Sequence, residues 1–296
     1  MEEKMDEIKI KAYAKINLGL DVVGRRTDGY HLVKMIMQSV DLYDVLKMKR
    51  LEEDRIVLTT DMEGLECDDR NLVYKAAALL KETCHIRQGV QIRLEKHIPM
   101  AAGLAGGSSD CAATMRGMAE LFQLKLTEQQ LRELGVKLGA DVPYCLMGGT
   151  ALSEGIGEIL KPLRDMPECG ILLAKPAVAV STGHVYQALD ALSDYAHPDI
   201  DGMQEAIDAG ELTGIAERLG NVLEYVTVDE HEEIVRIKDA MMRLGALNTL
   251  MSGSGPTVFG IFETYEEAAN VKVALADHPL IRDLFAVKPV RNQVTE

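Results

Sequence analysis

Tryptophan is absent from this chain, and aromatic residues make up only 4% of its 296 positions, so a tyrosine in a loop carries more information than usual. Cysteine is sparse as well. Cys67, Cys84, Cys111, Cys145 and Cys169 are scattered, odd in number and without a C-x-x-C pair. That pattern excludes a disulfide framework and a zinc ribbon and reads as free thiols in a reducing compartment. No apolar run reaches the roughly 20 residues a membrane-spanning helix needs. The opening MEEKMDEIKI is acidic and lacks the basic and apolar regions of a secretory leader. A cytoplasmic protein is expected. Positive charge is also short: 32 Lys and Arg against 47 Asp and Glu leave a net charge of −15. Such a surface repels nucleic acid and anionic membranes, so neither is an expected partner. An anionic ligand must instead be held locally, by backbone N–H groups, a few lysines or a metal ion. What remains is ordinary for a folded protein, 47% hydrophobic and 27% charged, with length for one large domain or two modest ones.

Along the chain, IKIKAYAKINLGLDVV alternates at first and is rich in β-branched residues, which predicts one or two strands. RRTDGYH follows as a turn centred on Asp28-Gly29. Further strands are expected over HLVKMIMQSVDLYDVLKMKR and RIVLTT, a helix over 71–84 and a strand over 90–96. Helices are expected near 109–122 and 127–138, the second opened by the Thr127/Gln130 capping-box spacing. LGADVPYCLMGG reads as a loop and TALSEG as a short strand. Mixed charge and two prolines at KPLRDMPE mark a domain boundary, giving domains 1–162 and 163–296. The second domain reads as strand, helix from Ser181 or Thr182, helices near 201–219 and 230–244, two strands around GSG, a helix with a Thr264/Glu267 capping box, and a last strand. That order matches a split ferredoxin-like unit with extra helices in its first crossover.

The most informative stretch is PMAAGLAGGSSD, Pro99 to Asp110, which carries Gly103, Gly106 and Gly107 just ahead of a helical segment. Glycines let several N–H groups turn toward one point, and a helix start adds unpaired donors and a positive dipole end. This chemistry suits phosphate. The plain alternative is a strand-to-helix linker. A P-loop is excluded, since G-x-x-x-x-G-K-[ST] is missing, and so are the protein-kinase elements H-R-D and D-F-G and a first-strand G-x-G-x-x-G.

What is left, P-x-x-x-G-L-x-G-G-S-S, resembles the second motif of the galactokinase, homoserine kinase, mevalonate kinase and phosphomevalonate kinase superfamily. KAYAKINLGLDVVGRRTDGYH at 11–31 and LMSGSGPTVFGIF at 250–262 resemble its first and third. Ala105 and Cys111 depart from the common glycine and alanine, but both are small. Within the superfamily, A-K-I-N-L (14–18), D-G-Y-H (28–31) and G-A-D-V-P-Y (139–144) resemble the branch acting on a cytidine-diphosphate-linked erythritol. The resemblance implies an α+β, two-domain small-molecule kinase fold. Its N-terminal domain would be like a ribosomal-protein domain and its C-terminal domain ferredoxin-like, with the active site in the cleft between them. It also implies transfer of the ATP γ-phosphate to a tertiary hydroxyl, with Mg²⁺ accompanying the nucleotide. A mevalonate or homoserine kinase is the alternative within enzymes. A nucleic-acid-binding module is the alternative outside them, and the acidic charge argues against it.

The resemblance makes Asp141 the catalytic base; on the residues alone, a turn aspartate bonding its own backbone fits as well. It puts Lys15 at the reacting centre, where the default for a lone strand lysine is to face solvent. Asn17 shares the strand face of Lys15 and would orient the substrate. Tyr30 and His31 would hold the cytosine by stacking and by hydrogen bonds to its edge, with Tyr186 closing the sandwich. Thr182 would bond the substrate or cap its helix. Pro99, Met100, Ala101, Ala102, Gly103, Leu104, Ala105, Gly106, Gly107, Ser108 and Ser109 would wrap the ATP phosphates. Asn71, Lys96 and Asp110 would contact the adenosine part, although Asn71 also stands where a helix cap is needed. No metal ligand set is implied by spacing; Ser109 is one candidate. Ser252 to Gly255 reads as a second glycine-rich turn facing the first.

Overall fold

A computed structural model describes residues 6–192 and 194–291. Residues 1–5 of the acidic opening stretch lie outside the described residues. The chain divides into two compact units. The first holds the described residues through Ala14, Leu42–Met100 and Ala105–Met147; the second holds Lys15–Asp41, Ala101–Leu104 and everything from Gly148 onward. Two long strands, β1 (Glu7–Arg25) and β2 (His31–Leu51), contribute residues to both.

In the first unit, Val45–Leu51 of β2 pairs antiparallel with β4 (Gly89–Glu95), which pairs parallel with β3 (Ile56–Thr60). Between β3 and β4 runs α1 (Leu72–Thr83), and after β4 come α2 (Gly106–Leu121), α3 (Glu128–Gly135) and α4 (Val142–Met147). The inward residues of the ladder, among them Leu46, Met48, Ile92 and Leu94, pack with Val73, Ala76 and Leu80 of α1. Cys111, Ala112, Met115 and Met118 of α2 complete this core. Alanine, cysteine and glycine on α2 keep it slim, so that neighbours cover most of its circumference.

In the second unit, Met35–Gln38 of β2 pairs with β5 (Thr150–Glu154), which turns back into β6 (Ile159–Pro162). A four-stranded sheet follows, built from β7 (Gly170–Pro176), β9 (Asn248–Met251), β10 (Val258–Phe262) and β11 (Ile281–Val287). Its spatial order is β11-β7-β10-β9 with every pair antiparallel. Numbered within this sheet, that is 4-1-3-2, the ferredoxin-like order expected from the sequence. The first crossover carries α5 (Thr182–Leu189), α6 (Ile200–Ala209), α7 (Leu212–Glu217), the two-residue β8 (Gly220–Asn221), α8 (Glu224–Glu230) and α9 (Glu232–Arg243). The second carries α10 (Tyr265–Ala274), closed at its start by the Thr264/Glu267 capping box.

Four expectations needed correction. The segment after Asp141 is a helix, because Pro143 falls in the first turn of α4, where no intrahelical donor is needed. α2 begins at Gly106 rather than 109, taking two of the loop's glycines into its first turn. The helix expected over 201–219 is two, divided at Gly210, whose φ of +73° caps α6. The strand β6 and the helix α8 were not foreseen; β6 is four residues long and ends in proline, too short to show a period.

Where β7 enters the sheet its backbone meets the start of α10. A Cβ on Gly170 would stand 2.2 Å from the Thr264 carbonyl oxygen and 2.8 Å from the Ala268 Cβ. Gly170→Ala is therefore expected to lower stability by about 1–3 kcal/mol. In urea unfolding, the midpoint should fall with the slope unchanged.

Candidate active site

The glycine-rich stretch is held by alternating backbone hands. Ala101 (φ +49°), Gly103 (φ +74°) and Ala105 (φ +54°) are all left-handed. Two of them are alanines, and positive φ at a residue with a Cβ is a strain that persists only where its surroundings impose it. Ala105 is the N-cap of α2 and offers no side-chain cap. The first N–H groups of a 16-residue helix, from Gly106, Gly107 and Ser108, thus have no intrahelical acceptor. Donors so placed at a helix start are of the kind that can receive an anion. Ser109 is buried, and its hydroxyl donates to the Tyr13 carbonyl at 2.6 Å, tying the helix start to β1.

Within the same unit, α2 packs on α4, and a methyl placed on Gly139 would lie 3.8 Å from Ser108 Oγ. Asp141, half-buried, stands immediately before α4, its carbonyl accepting from the Cys145 N–H at 3.0 Å. The Asp141 loop and the first turn of α2 are thereby neighbours.

Lys96 closes β4 and does not face solvent. Its ammonium lies between Asp110, at 2.7 Å, and Asp44. Asp44, fully buried on β2, also accepts from the backbone N–H groups of His97 (2.5 Å) and Ile98 (2.8 Å). Burial opposes the charge on Lys96, but Asp110 and Asp44 together hold its pKa above the ordinary lysine value. Burial pushes Asp110 well above the usual carboxylate range, with Lys96 pulling the other way and Asp44 reinforcing the rise. Asp110 Oδ1 is buried and has no hydrogen-bond partner among the described residues. Asn71 caps α1, its Oδ1 accepting from Val73 N–H at 2.9 Å while its amide donates to the Glu66 carbonyl.

In the second unit, Lys15 is buried too, against the default for a strand lysine. Its Nζ donates to Asn17 Oδ1 at 2.7 Å and to the Gly103 carbonyl at 3.3 Å, and Asn17 Nδ2 lies 3.3 Å from Met35 Sδ. The turn 252–255 meets them there. Ser252 Oγ donates to the same Gly103 carbonyl at 2.9 Å, and a Cβ on Gly253 would stand 3.6 Å from both Lys15 Nζ and Asn17 Oδ1. Asn221 holds the turn from behind, donating to the Met251 and Gly253 carbonyls at 2.8 Å each. Thr182 opens α5, whose cap is Ser181, and its Oγ1 is 2.8 Å from Ser254 Oγ. The side chain of His31 is only 12% exposed. Its ring stacks on Tyr186 with centroids 4.7 Å apart and planes at 28°. Tyr30 next to it is exposed.

The structure therefore gathers Lys15, Asn17, Gly103 and Thr182 around the 252–255 turn, and His31 with Tyr186. In the first unit it gathers Lys96 with Asp110, and Ser108 near Asp141. The sequence reading missed Asp44, Asn221 and Asp190, the last of which bonds His31. Asp44 gave no distinct signal, being one of two carboxylates, with Asp41, on a strand that also carries lysines. Burial pushes the thiols of Cys111 and Cys169 up to about 12, which makes them poor nucleophiles. No group of three or more metal-binding side chains occurs among the described residues, and the Ser109 hydroxyl is committed to Tyr13. The residues present do not by themselves compose a cation cage. No helix among the described residues is long and apolar enough to cross a membrane.

Asp44→Ala leaves Lys96 with one carboxylate and two backbone N–H groups without their acceptor. A loss of about 3–5 kcal/mol is expected in denaturant unfolding. A cost below 1 kcal/mol would show that Asp44 is not a strut.

Two family models match the chain, "GHMP kinases N terminal domain" over residues 71–149 and "GHMP kinases C terminal" over 203–279. The 4-diphosphocytidyl-2-C-methyl-D-erythritol kinase of Caldicellulosiruptor bescii is 54% identical over 255 residues, covering 86% of this chain and 89% of that protein. A crystal structure of 4-(cytidine 5'-diphospho)-2C-methyl-D-erythritol kinase superposes with a TM-score of 0.81 at 33% identity, covering 95% of this chain and 99% of the other. Homoserine kinase from Cytophaga hutchinsonii gives 0.80 at 21% identity, over 99% and 97% of the two chains, a likeness of fold.

Proposed function

This chain belongs to the GHMP kinases and, within them, to the 4-diphosphocytidyl-2-C-methyl-D-erythritol kinases, and from that membership we propose its reaction. It transfers the γ-phosphate of ATP to the 2-hydroxyl of 4-diphosphocytidyl-2-C-methyl-D-erythritol, in non-mevalonate isoprenoid precursor synthesis. The observation that carries the reading is the 54% identity over most of both chains, together with the buried Lys15 beside Gly103 and the 252–255 turn. We assign the cytoplasm as its location, and ATP and the cytidine-linked alcohol as its small-molecule partners.

In the reaction, the alcohol oxygen bonds to the γ-phosphorus, the bond from that phosphorus to the β,γ-bridging oxygen breaks, and ADP leaves. The hydroxyl proton passes to the Asp141 carboxylate, which also holds the oxygen in line. Lys15 neutralises the charge developing on that oxygen; its buried setting, with Asn17 and a backbone carbonyl fixing the ammonium, supports this role. Asn17 orients the alcohol, and Thr182 bonds it. The stretch Pro99–Ser109 wraps the phosphates through the free N–H groups at the start of α2. Asn71, Lys96 and Asp110 take the adenosine part, with Asp110 Oδ1 as the acceptor still to be filled. Mg²⁺ would arrive with the nucleotide and neutralise charge on its phosphates; no group of three or more metal-binding side chains stands ready for it among the described residues. Tyr30, His31 and Tyr186 hold the cytosine.

Asp141→Asn is expected to lower kcat by roughly 10²–10⁴-fold while leaving the KM for ATP near that of the parent. An equal loss in both would assign Asp141 to nucleotide binding instead. Steady-state assays with three alcohols decide the substrate. Turnover of mevalonate or homoserine, with none of the cytidine compound, would overturn the reading.

A further inference from the structure

The cytosine-binding reading leaves open how the protein tells cytosine from uracil, two bases of almost identical shape. The difference lies on one edge. Cytosine presents an exocyclic amino group, a donor, where uracil presents a carbonyl oxygen, an acceptor. A discriminating site must show an acceptor there, and an imidazole does so only in one of its two neutral tautomers.

His31 is gripped in a way that selects a tautomer. Its Nε2 lies 2.7 Å from Asp190 Oδ1. An ionised carboxylate only accepts, so Nε2 must carry the proton, and the neutral ring is left with a lone pair on Nδ1. The other oxygen of Asp190 receives Arg25 Nη1 at 2.9 Å, an ion pair that fixes the rotation of the carboxylate. Asp190 follows Tyr186 by four residues at the C-terminal end of α5, and its N–H donates to the Tyr186 carbonyl at 3.1 Å. One turn of helix thus presents a flat face to the His31 ring and a carboxylate to its edge.

We infer that Asp190 is a positioning residue that sets the His31 tautomer, and through it the preference for a pyrimidine bearing an amino group over one bearing a carbonyl. The inference rests on the proposed binding of the cytidine at Tyr30–His31. In this role Asp190 acts on the substrate through His31. Its role parallels that of the buried aspartate that fixes a catalytic histidine in hydrolase triads.

The test is Asp190→Asn. With Arg25 occupying the amide oxygen, the new NH₂ group faces Nε2 and donates to it, which moves the imidazole proton to Nδ1. The wild-type enzyme should prefer the cytidine-linked over the uridine-linked alcohol in kcat/KM. That ratio should fall roughly 10-fold or more in Asp190→Asn, through KM for the alcohol, with KM for ATP unchanged. Asp190→Glu, which restores a carboxylate, should recover part of it. Long-range ¹H–¹⁵N spectra should assign the proton of wild-type His31 to Nε2 and that of Asp190→Asn to Nδ1. A ratio in Asp190→Asn within twofold of the wild type, or a wild-type proton on Nδ1, overturns the inference. Comparable turnover of both alcohols by the wild type overturns it while leaving the kinase reading intact; turnover of neither overturns both.

Discussion

A lysine can be buried only if acceptors meet its ammonium, and in the second unit the Gly103 carbonyl is one of them. That oxygen receives Lys15 Nζ and Ser252 Oγ together, so strand β1, the glycine-rich stretch and the 252–255 turn converge on one atom. The convergence depends on Gly103 lacking a side chain. A Cβ there would stand 2.2 Å from the Ser252 carbonyl oxygen, and the φ of +74° is one that residues with a Cβ rarely adopt. Asn221 supports the turn from the far side through two carbonyls.

The first unit also buries a lysine. Lys96 is flanked by two carboxylates, Asp44 and Asp110, and Asp44 is also bonded to the backbone just after Lys96. Such a cluster does little for net stability, because desolvating three charges offsets most of their attraction. What it supplies is geometry. The chain leaving β4 is held where it enters the glycine-rich stretch, and the start of α2 is fixed through Asp110.

Much of this was legible in the sequence because it is local. The capping boxes at Thr127 and Thr264 and the Asp28-Gly29 turn are set by neighbours a few residues apart, and each formed as read; the ferredoxin-like strand order also formed, while the helices of its first crossover departed from expectation. The glycine-rich stretch was legible for the same reason. The kinase motifs named Lys15 and Asp141, but their spacing said nothing about burial, and a strand lysine reads as solvent-facing until its acceptors are known. Asp44 and Asp190 were invisible because their partners lie 52 and 159 residues away along the chain. Helix α4 was missed through a local misreading, since a proline that breaks a helix interior is welcome in its first turn.

Helix α5 has a consequence for what can change in this protein. Thr182, Tyr186 and Asp190 recur every four residues along it, reaching Ser254, the His31 ring face and the His31 ring edge in turn. The helix is therefore a ruler, and its graduations matter more than the material between them. Gly183, His184 and Gln187 are exposed, and their identities can drift. One residue inserted or removed between Thr182 and Asp190 would turn everything beyond it by about 100° and take at least one of the three off its partner. Descendants of this sequence should thus vary at these exposed positions, keep apolar residues at the buried Val185 and Leu189, and hardly change the length of the segment.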